Sequence, residues 1–319
     1  IWVITHGSKF DDDEVTTYTV KFSFRNIFII WKSVLEIRQI IKVHKPDVIH
    51  IQEVGTHAML VFWANRRLKV PVILTGWGSD VLKMPRRGYV FRWLVSKALK
   101  KADYLTADSK NLGDYMRALV PRTKLDITIA NFGVDMVTED FPKEKIIYSN
   151  RLHEELYRIE WIIKAFKLFI ETDKLTDWKL VIAGAGTKTK SYVDLVRRLG
   201  IEDYVEFPGW IKREVNREYY KKAMLYVSIP QSDATSISLL EALVYGCIPI
   251  LSDLPANWEW VESGRNGLIV KHLDTNFIKK ALKLNQAEVA AINREIIAER
   301  GTTETNRQKF IDIYNRAIK

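Results

Sequence analysis

The sequence predicts an α/β protein built from two doubly wound, Rossmann-like halves. Three observations lead there. Short runs rich in β-branched residues alternate with longer helical stretches along all 319 residues. Those runs are apolar without a polar face, as strands of a parallel sheet buried on both sides are. The alternation breaks once, at the polar stretch 136–145, and then restarts. Open sheets of this kind bind ligands beyond the carboxyl ends of their strands, so the two arrays are expected to face each other across one cleft.

In the first half, strands are expected at 2–5, 18–22, 48–52, 72–75, 104–106 and 127–130, with helices over 27–44, 56–68, 88–101 and 110–119. Pro46 and Pro71 punctuate strand entries, because a proline disfavours helix in the residue before it. After the 136–145 linker come strands at 146–149, 179–183, 205–207, 225–228, 249–251 and 268–270. Helices follow near 158–172, 188–199, 213–223, 237–245 and 274–283, and the tail 286–319 reads as two more. The expected division is a domain at 1–140, a second at 141–300, and a terminal helix, 301–319, packing back toward the first.

Composition narrows the function. With 47% apolar residues, the chain suits two cores of about 150 residues each. No apolar run reaches the roughly 18 residues that a membrane span needs. The densest patch, Ile27 to Trp31, is short and soon becomes charged. One cysteine, Cys247, excludes an intrachain disulfide framework, fits a reducing compartment and reads as a small core residue. The net charge of +10 fits nucleic acid, an anionic membrane or phosphate-bearing substrates. No nucleic-acid motif, zinc spacing or long basic run supports the first. The chain opens at Ile1 directly into a strand, with no signal peptide visible.

The most informative stretch runs from Ser232 to Gly246, after an apolar strand. Asp233 and Glu241 stand eight positions apart, and Thr235, Ser236 and Ile237 open an apolar helix between them. Small residues at a helix start let backbone amides reach a phosphate, and the helix dipole favours negative charge there. Carboxylates on either side suit a diphosphate flanked by two hydroxyl-rich sugars, which is a nucleotide sugar. The plainer reading is a Ser238–Glu241 capping box.

Other strand ends carry candidates. Arg151, in Asn150-Arg151-Leu152, is expected where a strand stops, and arginine forks onto phosphate oxygens without losing its charge. Gly184 and Gly186 allow close backbone approach; alone they are equally a tight turn. Gly209, Trp210 and Ile211 are candidates for a base pocket, against simple loop packing. In the first half, Trp77, Ser79 and Asp80 follow a strand within Thr75-Gly76-Trp77-Gly78-Ser79-Asp80, which is alternatively a turn with a helix cap. Gln52 and Glu53 end another strand, and His50, alternating with Gln52, reads as a packed core histidine. No metal-ligand spacing and no nucleophile elbow are present.

In order and spacing these tokens resemble glycosyltransferase family 4, retaining enzymes with the GT-B fold. The resemblance runs over nearly the whole chain, through 47–52, 75–80, 131–135, 150–152, 165–166, 183–186, 208–209, 233–241 and 266–270. It departs in four places. Asp233 stands where the family has glutamate, Tyr157 and Arg158 where it has a lysine followed by glycine, and Gln52 where many relatives have histidine. The family's opening strand and glycine-rich loop are expected to be missing before Ile1.

The resemblance implies a transferase that takes a nucleotide-diphosphate sugar as donor and needs no metal or other cofactor. Asp233 would contact donor sugar hydroxyls, and the amides near Ser236 and Ile237 would hold the diphosphate. Glu241 would take the ribose hydroxyls, and Arg151, with Arg158 as a second cation, would neutralise the leaving group. Gln52, Glu53, Trp77, Ser79 and Asp80 would serve the acceptor, a glycan or lipid-linked glycan in bacterial surface polysaccharide or glycoconjugate synthesis. The expected place is the cytoplasm, at the inner face of the membrane, with the apolar-basic helix 27–44 permitting peripheral contact with an anionic leaflet. Nucleotide-sugar binding without turnover and GT-B nucleotide-sugar epimerisation are the alternatives.

Overall fold

The computed structural model describes residues 1–6, 14–22, 26–173, 177–271 and 276–319. The chain forms two compact units. Unit 1 comprises residues 1–108, 112–129 and 310–319, and unit 2 comprises residues 109–111 and 130–309. Among the described residues no helix is long and apolar enough to cross a membrane.

The elements through residue 129 are β1 (Trp2–Thr5), β2 (Thr16–Thr19), α1 (Ile27–His44), β3 (Ile49–Ile51), α2 (Thr56–Asn65) and β4 (Val72–Gly76). They continue with α3 (Ser79–Leu82), α4 (Tyr89–Lys101), β5 (Tyr104–Ala107), α5 (Lys110–Leu119) and β6 (Ile127–Ile129). β3, β4, β5 and β6 make a parallel sheet in that order. Each crossover therefore steps the same way, and right-handed connections put their helices on one face. Residue alternation in β4 agrees. Val72 and Leu74 join Met59, Val95, Leu112 and Met116 from the helices, while Ile73 meets Ile313 and Ala317 on the other side. β1 and β2 pair in a separate two-stranded parallel sheet. The register from Trp2 opposite Thr16 to Thr5 opposite Thr19 sets the second strand two residues earlier than the expected 18–22.

From residue 130 the elements are β7 (Glu144–Ser149), α6 (Ile159–Asp173), β8 (Lys179–Ala183), α7 (Thr189–Arg198), β9 (Val205–Gly209), α8 (Arg213–Lys222) and β10 (Ala223–Ser228). Then come α9 (Ile237–Val244), β11 (Ile248–Ser252), α10 (Pro255–Trp258), β12 (Leu268–Val270), α11 (Phe277–Ala281), α12 (Gln286–Arg300) and α13 (Thr303–Ile318). The helix expected at 274–283 begins at Phe277, and residues 274 and 275 lie outside the described residues. The tail is two helices, and the last of them begins in unit 2 and ends in unit 1.

The sheet of unit 2 is parallel and runs β12-β11-β10-β7-β8-β9. From β7 the chain steps toward β8, and from β10 it steps the opposite way, toward β11. Right-handed crossovers then place α6 and α7 on one face and α9 on the other. Ile147, Leu225 and Val227 accordingly pack with Ile162, Phe166 and Tyr192. Their neighbours Tyr148 and Tyr226 pack with Tyr220, Leu239 and Ile297. Between the carboxyl ends of β7 and β10 lies a topological switch point, where open α/β sheets leave a crevice. Cys247 is fully buried in the second of these cores.

The polar stretch 136–145 lies inside unit 2. Lys143 Nζ donates to the carbonyls of Tyr220 (2.9 Å), Lys221 (3.0 Å) and Tyr245 (2.7 Å). A cation on the last carbonyls of α8 and just past α9 satisfies groups that a helix end leaves open, and it ties the stretch to the second core.

Candidate active site

The switch point in unit 2 decides which polar residues meet. β7 stops at Ser149, and Asn150 and Arg151 follow at once. β10 stops at Ser228, and the chain re-enters a helix only at Ile237. Two loops far apart in sequence thus emerge side by side. Arg151 Nη2 lies 2.6 Å from Asp233 Oδ2, and Arg151 Nη1 donates to the Ser236 hydroxyl. The guanidinium also lies over the Tyr157 ring, 4.6 Å from its centroid. Only 11% of the Arg151 side chain and 23% of the Asp233 side chain are exposed. Burial works against the guanidinium charge, but Asp233, Tyr226 and Tyr157 together more than offset it and raise the pKa above its ordinary value.

Ser236 caps α9 with extended backbone and makes no side-chain cap. Its carbonyl accepts from Leu239 (3.0 Å) and Leu240 (3.2 Å), which leaves the amides of Ile237 and Ser238 without a partner inside the helix. The Ser238–Glu241 capping box does not form. Ser238 already lies in the first turn, so Glu241 falls beyond the position from which a glutamate can reach back.

Glu241 belongs to a second network. It accepts from Asn216 Nδ2 at 3.4 Å. Asn216 Oδ1 accepts from the Tyr148 hydroxyl (2.5 Å) and from Asn150 Nδ2 (3.0 Å). Asn150 Nδ2 also donates to the Tyr220 hydroxyl at 2.8 Å, and Asn150 Oδ1 accepts from Tyr226 at 3.3 Å. Burial raises the Glu241 pKa, opposed by Tyr220, Arg213, Arg217 and Asn216. Asn150 thus joins Arg151's loop to the carboxylate on α9 through buried phenols.

The glycines have another explanation. A Cβ on Gly184 would meet the Arg151 carbonyl oxygen at 2.9 Å, and one on Gly186 would meet the His153 carbonyl oxygen at 2.6 Å. Their amides are taken as well: Gly184 N donates to the Gly209 carbonyl (2.7 Å) and Gly186 N to Thr189 Oγ1 (2.9 Å). Both residues let loop 151–154 press against the end of β8. Gly209 has φ 70 and open space where a Cβ would stand. Trp210 is 73% exposed, and Ile211 packs on the second core. Arg158 adopts a left-handed conformation just before α6, and Thr235 Oγ1 accepts from Trp260 Nε1 at 3.4 Å.

The candidates of unit 1 bond locally. Asp80 is buried, and its carboxylate accepts from the amides of Val54 (2.9 Å), Gly78 (2.8 Å), Trp77 (3.2 Å) and Val81 (3.1 Å). It organises its own turn. Burial raises its pKa against those amides, and Glu53 adds to the rise. Glu53 pairs with His57 at 3.2 Å, one helical turn away, a bond that lowers its pKa. Gln52 contacts His50 at 3.1 Å. His50 is packed, as its alternation with Gln52 predicts: Nδ1 lies 2.6 Å from the Tyr314 hydroxyl and Nε2 2.7 Å from Thr75 Oγ1. Trp77 is half-buried and Ser79 exposed.

Sequence reasoning missed Asn216, Tyr220, Tyr226 and the stacking role of Tyr157. A signal existed for two of them. Asn216 and Tyr220 stand four apart in a helix otherwise dominated by charge, so they share one face. Among the described residues no group of three His, Cys, Asp or Glu side chains is placed to hold a metal.

Two parallel α/β units with this switch point define the GT-B fold. Solved structures agree. A glycosyltransferase from Rickettsia africae ESF-5 superposes with a TM-score of 0.81 at 14% identity, over 100% of this chain and 90% of that one. Anabaena Alr3699/HepE in complex with UDP-glucose gives 0.77 at 15% identity, over 95% and 86%. The family described as glycosyl transferases group 1 matches residues 137–301, just over half of the chain, and glycosyl transferase 4-like matches residues 5–109. The chain belongs to the group 1 glycosyl transferases. It is 24% identical to the alpha-monoglucosyldiacylglycerol synthase of Streptococcus pneumoniae, over 70% of this chain and 56% of that protein. It is 23% identical to the N-acetyl-alpha-D-glucosaminyl L-malate synthase of Bacillus anthracis, over 86% and 75%. The chain therefore spans little more than half of the pneumococcal protein.

Proposed function

We propose that the chain moves a sugar from a nucleotide-diphosphate sugar to a hydroxyl acceptor, with the donor held in unit 2. One observation carries this reading: Arg151, Asp233 and the capping residue of α9 converge at the switch point. Breaking the bond between sugar and diphosphate leaves negative charge on the diphosphate. A fixed guanidinium and two open helix amides stabilise that charge as it develops, usually the largest catalytic contribution. They do so without a metal. Asp233 holds Arg151 until the donor arrives and then faces the sugar hydroxyls. Glu241 accepts from the ribose. Because burial raises its pKa, donor affinity is expected to fall on acidification sooner than an ordinary glutamate would dictate. Retention of anomeric configuration rests on the family resemblance.

The acceptor in this reading is a glycan or lipid-linked glycan, served by Gln52, Trp77 and Ser79. The relatives' names support sugar transfer and differ in what they make, from a monoglucosyldiacylglycerol to a glucosaminyl L-malate. The setting is bacterial surface polysaccharide or glycoconjugate synthesis, at the inner face of the cytoplasmic membrane, with peripheral contact to an anionic leaflet.

A thermal-shift screen with nucleoside diphosphates and their sugars tests the donor site. A ligand is expected to raise the melting temperature of the wild type and to lose that effect in Arg151→Ala and Glu241→Ala. An equal rise in all three would place the donor elsewhere. Transfer to a glycan acceptor, assayed with the ligand so found, separates turnover from binding alone.

A further inference from the structure

We propose that Asn216, on α8, reads one hydroxyl of the donor's ribose and makes the site select ribonucleotides over deoxyribonucleotides. This deepens the donor reading above and rests on it. α8 begins soon after β9 ends, so its first turn stands at the carboxyl end of the sheet, where open α/β sheets bind ligands. Arg213, Asn216, Arg217 and Tyr220 recur at helical spacing and share one face. The two arginines approach Asp135, each at 3.7 Å. Asn216 touches Glu241, the carboxylate assigned to the ribose.

The bonds of Asn216 fix which way its amide points. Oδ1 accepts twice, from the Tyr148 hydroxyl (2.5 Å) and from Asn150 Nδ2 (3.0 Å). That fills both lone pairs of an amide oxygen. Nδ2 therefore faces Glu241, and it has two hydrogens to give. One is directed at Glu241 Oε2 from 3.4 Å, longer than the roughly 2.7–3.2 Å usual for such a bond. The other has no acceptor among the described residues. Tyr148, Tyr220 and Tyr226 are buried, whereas Asn216 and Glu241 are both half-buried. The network thus reaches solvent with an unsaturated donor beside an unsaturated carboxylate.

A purely structural role needs no such donor. An oxygen alone at this position would satisfy Tyr148 and Asn150. The spare N–H suits a ligand that gives a hydrogen to Glu241 and offers an oxygen to Nδ2. A vicinal diol does both, since one hydroxyl donates to the carboxylate while its neighbour accepts from the amide. The ribose of a nucleotide carries such a diol. A deoxyribose lacks one member, and the bound ligand would then leave Nδ2 or the carboxylate short of a partner, which a site built to bond a hydroxyl penalises.

Calorimetric binding of UDP, GDP and ADP, each beside its 2′-deoxy and 3′-deoxy forms, tests this. The wild type is expected to prefer the ribo form of the nucleotide it binds, by about five-fold for each hydrogen bond lost. Asn216→Asp keeps an oxygen for Tyr148 and Asn150 and removes the donor. It is expected to bind all forms more weakly, because it sets a second carboxylate beside Glu241, and to lose the preference against one deoxy form. The ratio is the readout, since a packing defect weakens ribo and deoxy forms alike. Tyr148→Phe, which removes one bond to Oδ1 and leaves Nδ2 in place, is expected to keep the wild-type ratio. If Asn216→Asp fails to fold, Tyr148→Phe/Asn216→Leu, which removes the donor and the phenol hydroxyl together, carries the test. No ribo preference in the wild type, an unaltered ratio in the Asn216 variants, or a ratio equally lost in Tyr148→Phe would each overturn the proposal. An unaltered ratio with binding intact leaves the donor site standing. Failure of all three nucleotides to bind removes the donor reading and this inference with it.

Discussion

Units 1 and 2 use the same βα vocabulary, yet their strand ends differ. In unit 2 the polar residues bond across elements: Arg151 after β7 reaches Asp233 and Ser236 after β10, and Asn150 reaches Asn216 on α8. In unit 1 the two strand-end carboxylates bond within a turn or to the adjoining loop, as Asp80 does with its own turn and the Val54 amide and Glu53 with His57. The sheet order explains the contrast. The order β12-β11-β10-β7-β8-β9 reverses direction between β10 and β7, whereas β3-β4-β5-β6 never reverses. A reversal separates helices onto opposite faces and opens a crevice. The β3-β4-β5-β6 sheet has no such reversal, and Asp80 there is held by its own turn and the adjoining Val54 amide. The lesson is that a strand-end motif becomes a candidate site only where topology leaves room for a ligand.

Four measurements would break or sharpen this contrast. The largest effect is expected at Arg151. Replacing it by alanine should reduce transfer about 10²–10³-fold, while chemical denaturation shows little change. If transfer survives, the switch point of unit 2 is not where the diphosphate is stabilised. Next is Asp80→Ala in unit 1, which leaves buried amides unsatisfied and should cost about 3 kcal/mol of stability by urea unfolding. Donor-induced thermal shifts should persist in that variant, since Asp80 serves its turn.

A third test uses acid. Burial holds the His50 imidazole down at about 4, against an ordinary 6.5. The unfolded chain takes up that proton below about pH 6.5, and the folded one does so only near pH 4. Stability should therefore fall by ~2 kcal/mol as pH drops through this window, somewhat less than the full shift implies because the ring is not wholly shielded. His50→Gln should flatten that slope, and an unchanged slope would assign it to other groups. The smallest effect is at Tyr157. Losing its ring in Tyr157→Ala should slow transfer about five-fold, the worth of one cation–π contact. Tyr157→Phe, which keeps the ring, should restore most of the rate; equal defects in both would point to the hydroxyl instead.

Much of the fold was legible because its signals are local. β-branched runs, prolines and helical periodicity mark nearly every strand and helix, and the two-array organisation follows from their alternation. Strand β2 was misplaced by two residues, because register is a property of the pairing with β1 and not of the strand's own composition. Arg151, Asp233 and Ser236 stood out by residue type at strand ends, and the structure brings them together. Gly184 and Gly186 stood out for a reason the sequence does not reveal, the close approach of loop 151–154. Asn216 and Tyr220 offered only the faint signal of a shared helix face, since a polar residue in a charged helix looks like surface until its partners Tyr148 and Asn150 are known.

By itself, then, the sequence determined the class of fold, the order of its elements and the chemistry available at each strand end. Those depend on backbone sterics and side-chain type, which act over a few residues. Only the tertiary structure decided which of those chemistries meet. Sheet order and crossover direction choose the neighbours of a strand, and they set Arg151 against Asp233, 82 positions away, while they hold Asp80 to its own turn and the neighbouring Val54 amide.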